Sequence, residues 1–185
     1  MDLRMVKTRS QIKEAFLALR QKLMPEKIKV KDICAVAMIN KTTFYNHYTD
    51  SNELSNEIEN YAIEQVMSDF PERDRVFEDP KAYIVGLLRA LEKEADNLKI
   101  IFRGKQEALC AGLEERLHKL YGDMPTDADG RILLSFILGG FVRIVKDHLF
   151  TNEKCNIDRL AEQTIRLLES LLPPNTLQFR DVKQS

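Results

Sequence analysis

Cysteine, histidine and glycine are sparse in this chain, and their placement leaves little room for chemistry. Cys34, Cys110 and Cys155 are an odd number of thiols, far apart, with no CxxC pair and no histidine at ligand spacing. A disulfide scaffold and a structural zinc are both poor expectations on that pattern. Nothing close in sequence to Cys110 or Cys155 lowers a thiol pKa, so neither reads as a redox sensor. His47, His118 and His148 stand far apart, and the pair Gly139-Gly140 lies inside an apolar helical run instead of a phosphate-cradling loop. No nucleophile, base and metal ligand converge, so no enzyme activity, metal or cofactor is expected. Long apolar runs are missing as well: none approaches the roughly 20 residues that span a bilayer. The opening MDLRMVKTRS lacks the apolar centre of a signal peptide. A cytoplasmic protein with no membrane partner is the expectation. Internal repeats and low-complexity tracts are absent too.

What the sequence does contain is one helix after another. Its 185 residues suffice for a real core, in one domain or two small ones. From about Thr8 to Leu23, Ile12, Ala15, Phe16, Leu19 and Leu23 form one apolar stripe, and Pro25 ends it. In the next helix, Ile28 to Ala37, the residues Val30, Ile33, Cys34 and Ala37 recur at i, i+3, i+4 and i+7, so that face must be buried. Asp32 suits its first turn. Met38, Ile39 and Asn40 make a short connection whose Asn can cap a third helix, Lys41 to Tyr48. Asp50 or Ser51 opens a fourth, with Leu54, Ile58, Tyr61, Ala62 and Val66 inward. The proline-limited stretch PERDRVFEDP then reads as a hinge.

Beyond it, helical spacing continues over Lys81 to Asp96, Leu98 to Arg103 up to Gly104, and Gln106 to Tyr121. The run RILLSFILGGFVRIVKDHLF is apolar nearly all round, which implies burial on more than one side. A last helix from about Ile157 to Leu172 stops at Pro173 and Pro174, and QFRDVKQS reads as a frayed tail. The class is all-α, with about nine helices.

The third helix has an unusual composition. Thr42, Thr43, Tyr45, Asn46 and His47 are mediocre helix formers, and Phe44 is its one strongly apolar residue. With Phe44 anchored in a core, hydroxyls, amides and ring nitrogens point outward, where they match base edges and phosphates in a major groove. A polar surface helix in an unrelated bundle is the plainer alternative. Charge favours DNA: the first 50 residues hold ten basic and five acidic groups, a balance of +5, and the remaining 135 hold 18 against 24, a balance of −6.

The run IKVKDICAVAMINKTTFYNHYTDSNEL resembles the DNA-binding motif of the TetR family of transcriptional regulators. The matching positions are Ile28, Val30, Ile33, Ala37, Ile39, Thr43, Tyr45, His47, Tyr48 and Leu54. Lys29 stands where Thr is usual and Tyr48 where Phe is usual, and the basic residue common at the start of the family's fourth helix is missing. The match covers about the first 60 residues. It implies an N-terminal three-helix helix-turn-helix DNA-binding domain over residues 1–50. A fourth helix, at about 51–70, connects it to a C-terminal helical regulatory and dimerisation domain over 71–185.

Thr42, Thr43 and Asn46, with Lys41 in reach, are the candidates for base contact. Tyr45, His47, Tyr48 and Lys29 are assigned by the resemblance to phosphates or helix support. It also implies a homodimer built from the last two long helices, with Phe136, Gly140, Phe141, Ile144, Leu160, Thr164, Leu167, Leu168 and Leu171 at its interface. A small effector among Tyr83, Arg89, Phe102, His118, Tyr121, Phe136 and Arg143 is the corresponding expectation for the larger domain. The function so implied is a repressor on a near-palindromic double-stranded operator. A helical protein-interaction adaptor without specific DNA binding is the rival.

Overall fold

The computed structural model describes residues 3–69, 80–121, 128–151 and 156–171. The expected hinge, but for Pro80, lies outside these residues, as do Cys155 and the tail. Among the described residues there are nine α-helices and no strand. They are α1 Leu3–Arg20, α2 Val30–Val36, α3 Lys41–Tyr45, α4 Ser51–Ser68, α5 Pro80–Lys93, α6 Ala95–Ile101, α7 Gln106–Tyr121, α8 Ala128–Phe150 and α9 Ile157–Leu171. A 3₁₀ turn, Pro25–Lys27, joins α1 to α2.

Two compact units divide the chain: Met1–Ala62 with Asp96–Gln106, and Ile63–Ala95 with Glu107–Ser185. The first unit closes on Ile12, Ala15, Phe16, Ile28, Ile33, Cys34, Ala37, Phe44, Tyr48, Leu54 and Ile58, with Leu19, Val30, Ile39 and Ile101 packed at its margin. Most of these are the stripe residues expected for the first four helices, but Tyr61, expected inward on the fourth, is 61% exposed. In the second unit α5 packs along α9, and the buried residues include Leu87, Leu88 and Leu91 of α5, Leu109, Leu113 and Leu117 of α7, and Val142, Val145 and Leu149 of α8.

The sequence division put all of residues 71–185 in one domain, whereas residues 96–106 pack in the first unit. Arg20 accounts for their attachment. The last residue of α1, it is fully buried, and its guanidinium donates to the carbonyls of Ile101 at 2.8 Å, Arg103 at 2.7 Å and Leu23 at 3.3 Å. The C-terminal carbonyls of a helix lack intrahelical partners and carry partial negative charge, so a cation there satisfies both deficits. Burial pulls the Arg20 pKa below its usual value, yet the ring of carbonyls keeps the charge solvated from within. The chain leaves α6 through Gly104, whose φ of +75° is a backbone conformation that favours glycine.

Helix α1 begins before Thr8 and ends at Arg20, ahead of Leu23, which is 36% exposed. Its inward fourth-turn position is therefore filled by an arginine where an apolar residue was expected.

Candidate nucleic-acid interface

Four local devices build the region from Lys29 to Tyr48. At the start of α2 the Asp32 carboxylate accepts the Lys29 N–H at 3.3 Å, one of the donors that a helix start leaves open. The end of α2 is a Schellman turn: Ile39 N–H donates to Cys34 O at 3.0 Å and Met38 N–H to Ala35 O at 3.4 Å. Such a turn needs a left-handed residue, and Met38 supplies it at φ 53°, the sole non-glycine with positive φ among the described residues. A side chain there costs about 1 kcal/mol relative to glycine. Asn40 then caps α3, its Oδ1 accepting the Thr43 N–H at 2.7 Å and the Thr43 hydroxyl at 3.0 Å. Finally Phe44, fully buried, anchors the helix, with the Tyr45 ring edge-on at 5.6 Å and the Tyr48 ring at 5.8 Å.

This anchoring fixes what faces out. Lys29, Lys41, Thr42, Tyr45 and Asn46 are exposed, and Thr43 and His47 are half-buried. The three lysines Lys29, Lys31 and Lys41 are exposed and form no ion pair among the described residues. Thr43 is partly engaged by the Asn40 cap, which leaves Lys41, Thr42 and Asn46 the more accessible polar groups of the helix.

Tyr48 is the exception among the assigned contact residues. It is 2% exposed, and its hydroxyl accepts from Arg9 Nε at 3.1 Å, so it faces the core and α1 instead of the solvent. Arg9 also lies 5.3 Å from the Tyr48 ring centroid and donates to Glu57 Oε2 at 2.7 Å, while Lys13 reaches Glu57 Oε1 at 2.7 Å. Burial pushes the Glu57 carboxyl up, but hydrogen bonds from Arg9, Lys13 and Tyr48 outweigh it and hold the pKa at about 2. Burial, only partly countered by Arg9, pushes the Tyr48 phenol up to about 12.

This network leaves no mark in the sequence. Arg9 and Lys13 flank the apolar stripe of α1 as any solvated cations would, and Glu57 precedes Ile58 in the same ordinary way. Their pairing is a property of the tertiary fold, with no local signal.

The other assigned groups are scattered. Tyr83 is buried in the second unit, whereas Phe102, fully buried, belongs to the first. Arg89 and Arg143 are solvent-exposed and paired with Asp158 at 3.5 Å and Asp147 at 3.1 Å. Phe136 is 66% exposed, and the side chains of His118 and Tyr121 lie outside the described residues. Of the expected interface residues, Phe136, Gly140 and Leu167 are exposed, and Phe141, Ile144 and Leu160 are half-buried. Thr164 is buried with its hydroxyl on Leu160 O at 2.8 Å, while the side chains of Leu168 and Leu171 lie outside the described residues. Cys34 is buried and Cys110 half-buried, both are free, and burial raises both thiol pKa values, which makes each a weak nucleophile. Among the described residues no helix is long and apolar enough to cross a membrane.

No family model matches the sequence, and no curated protein matches it. Solved structures do. A TetR transcriptional regulator from Streptococcus agalactiae 2603V superposes with a TM-score of 0.66 at 24% identity, over 89% of this chain and 95% of its own. The dihydroxyacetone kinase operon activator DhaS superposes at 0.58 and 20% identity, over 89% and 96%. The chain thus has, nearly end to end, the all-α fold of these regulators.

Proposed function

We propose that this chain is a TetR-like transcriptional regulator that inserts α3 into the DNA major groove and binds a near-palindromic operator as a homodimer. The observation that carries the reading is the five-residue helix α3, held from behind by Phe44 and presenting Lys41, Thr42, Tyr45 and Asn46 to solvent beside the uncommitted Lys29 and Lys31. Polar groups aimed outward from a fixed helix suit base edges and phosphates, and cations without internal partners suit a polyanion. A reader this small contacts few bases. Two copies about 34 to 36 Å apart on successive major grooves supply the missing specificity.

The second copy finds support in the second unit. Phe136 and Leu167 are 66% and 52% exposed, and a Cβ built on Gly139 or Gly140 meets nothing within 4 Å. An open, glycine-bearing apolar face on a long helix accommodates close approach of another helix. Repression is the simpler output, because it needs only occupancy of a promoter, whereas activation needs a further contact with the transcription machinery. Release by a small effector has no gathered residues behind it among the described side chains and forms no part of the proposal.

Selection of duplexes from a random-sequence pool tests the reading. The wild-type chain is expected to enrich a near-palindrome and to lose affinity with salt, each neutralised phosphate adding about −0.9 to the slope of log K against log salt. Lys41→Glu and Tyr45→Ala should weaken binding at least about tenfold while helix content stays as in the wild type. Absence of enrichment, or an affinity indifferent to salt, would overturn the reading in favour of a protein-binding adaptor.

A further inference from the structure

A helix of five residues is too short to hold its own conformation in water. Its attachments therefore decide how Thr42, Tyr45 and Asn46 meet a groove. Asn40 fixes the beginning of α3 and Phe44 its middle. Its end is fixed one turn later by Tyr48, whose N–H donates to Phe44 O at 3.0 Å and whose hydroxyl is held by Arg9 at 3.1 Å. Two buried rings at i and i+4 define both the roll and the tilt of the element that carries them. Arg9 has little freedom of its own, because Glu57 on α4 grips Nη2 at 2.7 Å while the phenol takes Nε. The pattern this chain resembles carries Phe at the Tyr48 position. The hydroxyl, and the bond it accepts, are additions of this sequence.

We propose that Arg9, oriented by Glu57, is a positioning residue for DNA recognition, setting the angle of α3 through the Tyr48 hydroxyl without itself touching DNA. The inference rests on the DNA-binding reading above. Arg9 is 46% exposed at its side chain, so a direct phosphate contact is the competing role, and salt dependence separates the two. A lost phosphate contact lowers the steepness of the salt slope by about 0.9. A lost positioning bond lowers the fraction of time that α3 is correctly set, which scales the dissociation constant equally at every salt concentration.

The test uses the full chain and the duplex that the wild type enriches from a random pool, titrated at several salt concentrations. Arg9→Gln and Tyr48→Phe should each weaken binding about 3- to 10-fold with the salt slope unchanged. The double variant should weaken binding by less than the product of the two single effects, because the two changes share the Arg9–Tyr48 bond. A slope reduced by about 0.9 in Arg9→Gln makes Arg9 a phosphate ligand and overturns the proposal. So does an unchanged dissociation constant in Tyr48→Phe. That variant keeps the ring in its buried site, so it decides the matter alone if Arg9→Gln does not fold. Failure of the wild type to enrich any duplex removes the DNA reading itself. Normal wild-type binding that Lys41→Glu weakens and Tyr48→Phe does not removes only this inference.

Discussion

Glu57 sits between two cations, Arg9 and Lys13, each 2.7 Å from one of its oxygens. Its carboxyl titrates at about 2 in the folded protein against 4.5 for an unperturbed glutamate. A group whose folded pKa is depressed adds stability that is complete above the unfolded value and disappears as pH falls toward the folded one. The upper limit is about 3 kcal/mol, reduced to about 1–2 because the pair is partly exposed to solvent. Thermal unfolding followed by circular dichroism should show the wild type losing this increment between about pH 4.5 and pH 2. Glu57→Gln should be less stable at pH 7 and show a flatter decline over that window. A Glu57→Gln curve parallel to that of the wild type would mean the pairing carries no net stability. Met38 is the opposite kind of residue: its left-handed backbone is a cost, the residue is 89% exposed, and nothing in the structure explains why glycine is not used.

At the scale of elements, Arg20 binds α1 to the segment 96–106 by donating to three carbonyls. Arg20→Met would remove the donor from three part-buried carbonyls, at about 1 kcal/mol each because water can reach them in part. The expected net loss is about 3 kcal/mol in urea unfolding, with hydrogen exchange accelerated through residues 96–106 more than through α2. Uniform acceleration would show that the arginine supports the unit in general and not that segment.

The helices themselves were legible, because apolar spacing at 3.6 residues is local: α2 and α7 fall within the residues their patterns marked. Asn40 as a cap was equally visible, since a helix start declares itself by residue type. Arg20 was not, because its partners lie 81 and 83 residues away and an arginine in the last turn of a helix is ordinarily a surface residue. The same holds for Tyr48. The resemblance leaves it to phosphate contact or helix support, and only its packing against Phe44 and Arg9 puts it on the side of support.

For the molecule as a whole, charge and apolar surface divide the labour. The first 50 residues carry ten basic groups, but Arg9, Lys13 and Arg20 are committed to Glu57 or to backbone carbonyls. Lys29, Lys31 and Lys41, around α2 and α3, form no ion pair among the described residues, and in the proposed function they meet phosphate. One such head would bind weakly, and a linked pair would gain because the second contact becomes intramolecular. Under the proposed pairing, that linkage depends on apolar side chains such as Phe136 of α8 and Leu167 of α9, both more than half exposed in the single chain. A carboxylate at either position would be desolvated without a partner in a dimer and would rest comfortably in water in a monomer. Phe136→Glu with Leu167→Glu should therefore convert the chain to a monomer in analytical ultracentrifugation while leaving helix content unchanged. Affinity for the full near-palindrome should drop about 100-fold or more, and affinity for an isolated half-site should stay as it was. A monomer that still bound the whole operator as tightly as the wild type would show that the two heads act without being joined. A chain that stayed dimeric would place its interface on a different surface from the one left open by Phe136, Gly140 and Leu167.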